Sequence, residues 1–131
     1  LFFMEEQLTI IYLHGFNSSA ESKKSKILDS YLEGEKLINL KSPNLNNSPS
    51  RAIAQIEKII KECSKRVCLV GSSLGGLYAT FVADKYDLKS VTINPVVINH
   101  ISGMKELIGS HKNFHTDEEY EFTKQDYLDL Q

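Results

Sequence analysis

The sequence predicts a three-layer α/β domain, with helices on both faces of a parallel sheet. Four short apolar runs alternate with three segments whose apolar residues recur at helical spacing. Each connection between successive runs is long enough for the crossover that parallel strands require. The 131 residues fit a single domain without a linker, and 41% hydrophobic with 24% charged residues is an ordinary globular composition. We therefore expect one domain over residues 1–131.

The four apolar runs are the predicted strands. The first and the third are short and continuous rather than alternating, which is typical of strands buried on both faces of a sheet. The runs occupy residues 9–13, 36–40, 67–70 and 90–94.

The segments between these runs are the predicted helices. Ser18 and Glu21 have the spacing of a capping box before the first helix, and Gly34 is a suitable C-terminal cap. Ser48 followed by Pro49 is typical of the start of the second helix. The three apolar stripes are Ile27, Leu28, Tyr31 and Leu32; Ile53, Ile56, Ile59, Ile60 and Cys63; and Leu74, Leu77, Tyr78, Phe81 and Val82.

The pattern weakens after Pro95. Apolar residues at helical spacing suggest one more helix, ended by Gly109. Residues 113–131 carry six acidic residues and one lysine, which predicts a solvated excursion or a frayed end. The residues of the suggested helix are Ile101, Met104, Leu107 and Ile108.

Composition excludes several classes of protein. The 15 basic residues are scattered and slightly outnumbered by 17 acidic ones, which disfavours a nucleic-acid binder. The longest clean apolar run, residues 10–13, is far too short to cross a membrane. The apolar residues 1–4 lack the basic flank of a signal peptide. Cys63 and Cys68 fit neither a zinc ribbon nor a redox motif, so we expect buried free thiols in a reducing compartment.

The motif that carries chemistry is G-x-S-x-G at residues 71–75, where a predicted strand turns directly into an amphipathic helix. A sharp turn at this point lifts one side chain above the sheet edge, and Gly71 and Gly75 lack the bulk that would obstruct it. Ser73 would then stand at a helix N-terminus, where the dipole favours developing negative charge. The context predicts Ser73 as a catalytic nucleophile.

An attacking serine also needs amide donors for the tetrahedral oxyanion. One would be the N–H of Leu74, the residue after the nucleophile. The other would come from the loop after the first strand, which carries His14, Gly15 and Phe16. We expect the Phe16 N–H to be this second donor, because Gly15 leaves the backbone free to turn it inwards.

Three stretches, namely residues 13–19, residues 71–80 and the pair Asn94–Pro95, together resemble the YqiA-like bacterial esterases. The similarity runs from about Thr9 to the end of the chain. It implies an α/β-hydrolase fold in the bacterial cytoplasm and the hydrolysis of short acyl esters, with thioesters as a second class. It also implies a Ser-His-Asp triad and no cofactor. By motif, Ser73 would be the nucleophile, and Phe16 and Leu74 would line the oxyanion hole.

The sequence departs from that family in lacking a recognisable triad acid and histidine. The triad acid and histidine follow later strands in such enzymes, yet only 58 residues follow Ser73, without a Gly-Asp loop or a Gly-x-x-His. We therefore expect the N-terminal two-thirds of a hydrolase, ending after the sixth strand of that fold and the following segment. A non-catalytic remnant without acid and base is the alternative. The resemblance implies the strand order second, first, third, fourth, and a bare fourth strand could self-associate.

Other roles for these side chains stay open. Ser73 could be a simple helix N-cap, Ser72 is the more structural of the two serines, and His14 could act as a base although it belongs to the oxyanion loop. The histidines and aspartates that follow Ser73 could supply a substitute base and acid. The alternative is that they are solvated surface residues. A metal site at His111 and His115 is not supported, because no third ligand is evident. The later residues are His100, His111, His115, Asp117, Asp126 and Asp129.

Overall fold

The computed structural model describes residues 7–64, 66–113 and 115–131. The expected apolar segment at residues 1–4 lies outside the described residues. The first seven elements are β1 (Leu8–Leu13), α1 (Lys23–Leu32), β2 (Ile38–Lys41), α2 (Pro49–Glu62), β3 (Arg66–Ser72), α3 (Leu74–Tyr86) and β4 (Lys89–Ile93). They are followed by a 3₁₀ helix (Ile98–Leu107), β5 (Gly109–Lys112), β6 (Glu119–Phe122) and α4 (Lys124–Asp129).

The main sheet has the order β2-β1-β3-β4 and all its strand pairs are parallel. This confirms the predicted α/β class and the predicted strand order. Leu13 pairs with Gly71, and Ser72 pairs with Ile93, so β1, β3 and β4 end at one edge of the sheet. The chain direction across the sheet reverses between β1 and β3, which is where α/β sheets bind their ligands. The loop after β1 and the turn after β3 therefore emerge side by side.

The core lies between this sheet and the helices on it. Ile11, Leu13 and Leu69 of the central strands are fully buried, as are Ile56 of α2 and Val82 of α3. Continuous apolar strands and an apolar stripe on each helix account for this packing.

The first helix differs from its prediction. Ser22, not Ser18, caps α1, with its hydroxyl accepting a hydrogen bond from the Ser25 N–H. The capping box at Ser18 and Glu21 is therefore wrong. Two residues of the predicted apolar stripe face solvent, with Ile27 58% and Tyr31 82% exposed. Gly34 follows the helix with φ +85°, as a C-terminal glycine should.

The segment after β4 is also different from its prediction. Residues 98–107 form a 3₁₀ helix, and Gly109 begins β5 rather than ending a helix. Residues 119–131 are not a frayed end, because β6 pairs with β5 and Phe122 is fully buried. Thr123 and Asp126 form a reciprocal capping box that starts α4.

The thiols, the helix lengths and the grouping of possible metal ligands can each be compared with the sequence-based expectations. Cys63 and Cys68 are free thiols that are partly rather than fully buried. Among the described residues, every helix falls short of the length and apolar character that a membrane span needs. Within the same residues, no three His, Cys, Asp or Glu side chains cluster as a metal site would require.

The outer strand β4 has an open edge. Within the described part of the chain, β4 pairs only with β3, and all five of its residues are exposed. An unpaired apolar edge is a template for another strand. We propose that the 131-residue chain self-associates through β4, and we expect light scattering after size-exclusion chromatography to show a concentration-dependent dimer.

Charge placed on the edge tests this expectation. Val91 is 55% exposed on β4, and Phe81 is equally exposed on α3. Val91→Lys should give a monomer, because an edge lysine opposes strand pairing. Phe81→Lys is the matched control and should leave the dimer unchanged. A wild-type chain that stays monomeric at every concentration would contradict the proposal.

Candidate active site

Ser73 occupies the turn between β3 and α3 and is exposed to solvent. Its backbone has φ +56° and ψ −119°, which is a strained conformation for a non-glycine residue. An N-cap serine has extended backbone and a hydroxyl bonded to the helix, whereas the Ser73 side chain makes no capping hydrogen bond. The structure therefore excludes the simple N-cap role and presents the Ser73 hydroxyl at the sheet edge.

The glycines of the motif let two backbones touch. A Cβ on Gly75 would overlap the carbonyl oxygen of Leu13 at the end of β1, and a Cβ on Gly71 would overlap the carbonyl of Gly75. A Cβ on Gly15 would lie 3.0 Å from the Cβ of Ser73, so the loop after β1 runs directly against the turn. These contacts explain why the residue types at Gly15, Gly71 and Gly75 are small.

Backbone hydrogen bonds hold the strained serine in place. The Ser73 N–H donates to the Ile93 carbonyl at 3.0 Å. The Ser73 carbonyl accepts from the N–H groups of Gly76 at 3.0 Å and Val96 at 2.9 Å. The end of β4 and the following loop therefore fix the turn, in addition to β3 and α3. A strained backbone conformation persists when several surrounding contacts hold it, as these hydrogen bonds do here.

Both predicted oxyanion donors border one small cavity. Phe16 and Leu74 line a space of about 20 Å³, which is room for about one water-sized atom group. Neither of their N–H groups donates a hydrogen bond within the described residues. The cavity has room for a single oxygen atom with developing negative charge, and the two residues whose N–H groups would receive that oxygen both line it.

His14 is committed to the loop structure. Its Nε2 accepts a hydrogen bond from the Leu45 N–H at 2.9 Å, so the neutral ring carries its proton on Nδ1, which donates to the Gly15 carbonyl at 2.9 Å. Burial lowers the pKa of His14, against a smaller opposing effect of the Gly15 bond. With both ring nitrogens occupied, His14 is not available as the base for Ser73.

The buried neutral imidazole predicts a pH dependence of stability. Because the pKa of His14 is lower in the folded state than the ordinary 6.5, the unfolded chain binds a proton first as the pH falls. The free energy of unfolding should therefore decrease as the pH falls from 7 through the folded-state pKa, with a slope of up to about 1.4 kcal/mol per pH unit.

Urea denaturation between pH 5 and pH 8 measures this slope. In His14→Gln, the side-chain oxygen can still accept the Leu45 N–H but does not titrate, so the His14 contribution to the slope should vanish. An identical slope in the variant would contradict the assignment of a neutral buried ring.

The later histidines do not complete a triad with Ser73. His100 and His115 are exposed, and the Nε2 of His111 bonds to the Leu107 carbonyl. Asp126 is used by the capping box of α4. Within residues 7–64, 66–113 and 115–131, no side chain hydrogen-bonds to the Ser73 hydroxyl.

The sequence did not indicate which residues support the oxyanion loop. Asn17 has φ +56°, and its side-chain oxygen accepts a hydrogen bond from the Tyr120 hydroxyl at 2.9 Å. The Asn113 amide donates to the Ser18 carbonyl at 2.8 Å. The aromatic residues interleaved with the acidic ones in residues 113–131 were the available signal, but their partners lie about 100 residues earlier in the chain.

A strained, exposed serine in the turn between a strand and a helix of a parallel sheet is the backbone geometry that the motif at residues 71–75 predicts in an α/β protein. Residues 9–131 match the uncharacterised protein family UPF0227. The chain belongs to this family, and the match confirms the resemblance to YqiA-like proteins.

The chain is also similar to two curated proteins and to one solved structure. UPF0227 proteins of Pectobacterium carotovorum subsp. carotovorum and Pectobacterium atrosepticum are each 30% identical over 89 residues, or 66% of this chain and 49% of theirs. The chain thus spans about half the length of the curated relatives it matches. A candidate YdeN-like hydrolase from Pectobacterium atrosepticum is similar with a TM-score of 0.41 and 22% identity, covering 60% of this chain and 42% of that one.

Proposed function

We propose that this UPF0227 protein is a serine carboxylic ester hydrolase that forms an acyl-enzyme at Ser73. The observation that carries the proposal is the strained, exposed Ser73, whose turn lies against the loop after β1. Phe16 of that loop and Leu74, the residue after Ser73, line one small cavity. A structural serine has no need of positive φ or of unpaired amides next to it. On the resemblance alone, we also propose a location in the bacterial cytoplasm.

The chemistry follows from this geometry. The Ser73 oxygen attacks the acyl carbonyl carbon while its proton passes to a general base. The carbonyl oxygen becomes an oxyanion and accepts hydrogen bonds from the Phe16 and Leu74 amides, each contributing about 10²–10³-fold in turnover. Collapse of the tetrahedral intermediate breaks the ester C–O bond, and the base returns its proton to the leaving alcohol. Water then hydrolyses the acyl-enzyme, releasing the acid and restoring Ser73.

We propose that the base and its orienting acid come from chain outside these 131 residues. The described histidines are committed elsewhere or exposed, and the relatives have as much chain again outside the matched segment. The reading frame downstream of Gln131 tests this directly. A continuation with a Gly-Asp loop and a later Gly-x-x-His would support it, and an immediate stop codon would contradict it.

The substrate that fits is a small acyl ester with an apolar part. A cavity of about 850 Å³ lies beside the first turns of α3, and Tyr78 borders both this cavity and the small one at the amides. Its size is within the usual range of ligand pockets. The cavity is lined mainly by apolar residues of α2, α3 and the segment after β4, including Ile53, Leu77, Phe81, Val96 and Ile101. We propose short acyl esters or thioesters that need no cofactor, and p-nitrophenyl esters of increasing acyl length would define the preference.

A covalent probe tests the nucleophile. We expect a fluorophosphonate to label Ser73 in the full-length gene product, with the adduct mapped by peptide mass spectrometry. Ser72→Ala is the matched control, because Ser72 is the buried neighbour, and it should still be labelled. An adduct on any other residue would contradict the assignment.

A non-catalytic remnant remains the second candidate. It is favoured by one observation, namely that no described side chain hydrogen-bonds to the Ser73 hydroxyl. A serine without a base is a weak nucleophile near neutral pH. Ester turnover by the full-length gene product that depends on Ser73 would exclude this candidate.

A further inference from the structure

The hairpin of β5 and β6 packs on the loop that carries the Phe16 amide. The Phe16 ring makes edge contacts with His111 and Phe122, each at 5.2 Å between centroids, and with Tyr120 at 6.3 Å. The His111 ring also stacks on Tyr120 at 5.6 Å. The side chain of Phe16 is therefore enclosed on several sides, and Phe16 lines the small cavity together with Leu74.

Ring contacts fix the side chain of Phe16 but not the direction of its amide. The preceding residue is Gly15, whose backbone is intrinsically free, and the Phe16 N–H has no hydrogen-bond partner among the described residues. The following residue, Asn17, has φ +56°, a conformation that asparagine adopts more readily than most residues but at some cost. A restraint on Asn17 is therefore a restraint on the peptide groups around Phe16.

That restraint comes from the hairpin. The Tyr120 hydroxyl donates to the side-chain oxygen of Asn17 at 2.9 Å, across 103 residues of sequence. One residue further, the Asn113 amide donates to the Ser18 carbonyl at 2.8 Å. Both bonds are partly buried, so they compete less with water than bonds on the open surface would.

We infer that Tyr120 is a positioning residue for the reaction, because its hydroxyl holds Asn17 in the turn that aims the Phe16 N–H at the oxyanion. This inference rests on the proposed function, since a donor is positioned only if an oxyanion forms. Tyr120 itself does not touch the substrate. Its effect should appear in the transition state, where the oxyanion is present, and not in the binding of the neutral ester.

The Tyr120 hydroxyl remains a hydrogen-bond donor over the pH range of an esterase assay. Burial raises the pKa of Tyr120 to about 12, so the group keeps its proton at neutral and moderately alkaline pH. The loss caused by removing the hydroxyl should consequently be the same from pH 6 to pH 9.

Tyr120→Phe in the full-length gene product tests the inference with p-nitrophenyl butyrate. We expect kcat to fall about 10-fold with KM unchanged within about two-fold, because misaiming weakens one oxyanion donor without removing it. The affinity of an alkyl boronic acid, whose tetrahedral adduct places an oxygen at the amides, should fall by a similar factor. Tyr31→Phe is the matched control, because Tyr31 is 82% exposed, and all its constants should match the wild type.

A double-mutant cycle distinguishes positioning from general loosening. Asn17→Gly removes the acceptor yet tolerates positive φ, so it should lower kcat about as much as Tyr120→Phe, and the two changes together should cost no more than one. Asn17→Asp keeps an acceptor oxygen and should retain most of kcat.

Each result of these measurements supports or overturns the inference. If Ser73→Ala abolishes turnover but Tyr120→Phe behaves like Tyr31→Phe, the proposed function stands and the inference is wrong. Additive losses in the cycle, or a change confined to KM, also overturn the inference. Turnover that survives in Ser73→Ala would overturn the proposed function and the inference with it.

Discussion

Ser73→Ala is expected to lower the turnover of p-nitrophenyl esters by the full-length gene product about 10⁴-fold or more. The oxygen that would form the acyl-enzyme is lost, and the members of such a catalytic unit show nearly the whole effect when one is removed. The small cavity lined by Phe16 and Leu74 would persist, so the proposed oxyanion hole should still give a residual acceleration over water. Initial rates at saturating ester, corrected for spontaneous hydrolysis, measure the loss.

The stability of the variant should hardly change. The Ser73 hydroxyl is exposed and caps nothing, so its removal leaves no buried polar group unpaired. Urea denaturation should give a midpoint equal to that of the wild type, which separates loss of chemistry from loss of fold. Ser72→Ala provides the control for turnover and should keep most of it. Activity that persists in Ser73→Ala would refute the nucleophile.

The sheet could be predicted because its signals are local. β1 and β3 each contain a continuous apolar run that favours burial, and each connection between successive strands is long enough for a parallel crossover. The elbow was predictable for the same reason, since Gly71, Ser73 and Gly75 lie between a strand and a helix that were both evident.

The segment after β4 could not be predicted because its order comes from distant contacts. Phe122 is fully buried in a core built largely by residues far earlier in the chain, and two of the four residues Glu119–Phe122 are acidic, which indicates a solvated segment. Likewise, Ile101 and Met104 are buried at helical spacing, but the backbone there is a 3₁₀ helix. Here the spacing identified two buried side chains but not the type of helix that carries them.

Some residues of the candidate site could be predicted from local motifs and others could not. Ser73, Phe16 and Leu74 follow from the motif and from the loop after β1, and the structure brings Phe16 and Leu74 to one cavity beside the turn of Ser73. The bond from Tyr120 to Asn17 joins residues 103 positions apart, and neither belongs to a recognisable motif. Roles that depend on such pairs become visible only in the folded chain.

Gly75→Ala is expected to destabilise the fold by about 3 kcal/mol or more, out of a total stability of about 5–15 kcal/mol. The added Cβ would overlap the carbonyl oxygen of Leu13 and would lie 2.6 Å from that of His14. Both obstacles are backbone atoms at the end of the central strand β1, so no side chain can turn aside. Relief requires α3 to move away from β1, which would disturb the core in which Val82 of α3 and Ile11 of β1 are both fully buried.

Gly103→Ala is the matched control, because a Cβ at Gly103 meets nothing within 4 Å. It adds the same methyl group and should leave stability unchanged or slightly raised, since alanine restricts the unfolded chain. Urea denaturation followed by circular dichroism measures both variants, and if Gly75→Ala does not fold, its absence from the soluble fraction beside a soluble Gly103→Ala gives the same answer. A Gly75→Ala protein as stable as Gly103→Ala would mean that α3 and β1 are not in backbone contact. The elbow would then lose the packing that holds Ser73 at positive φ.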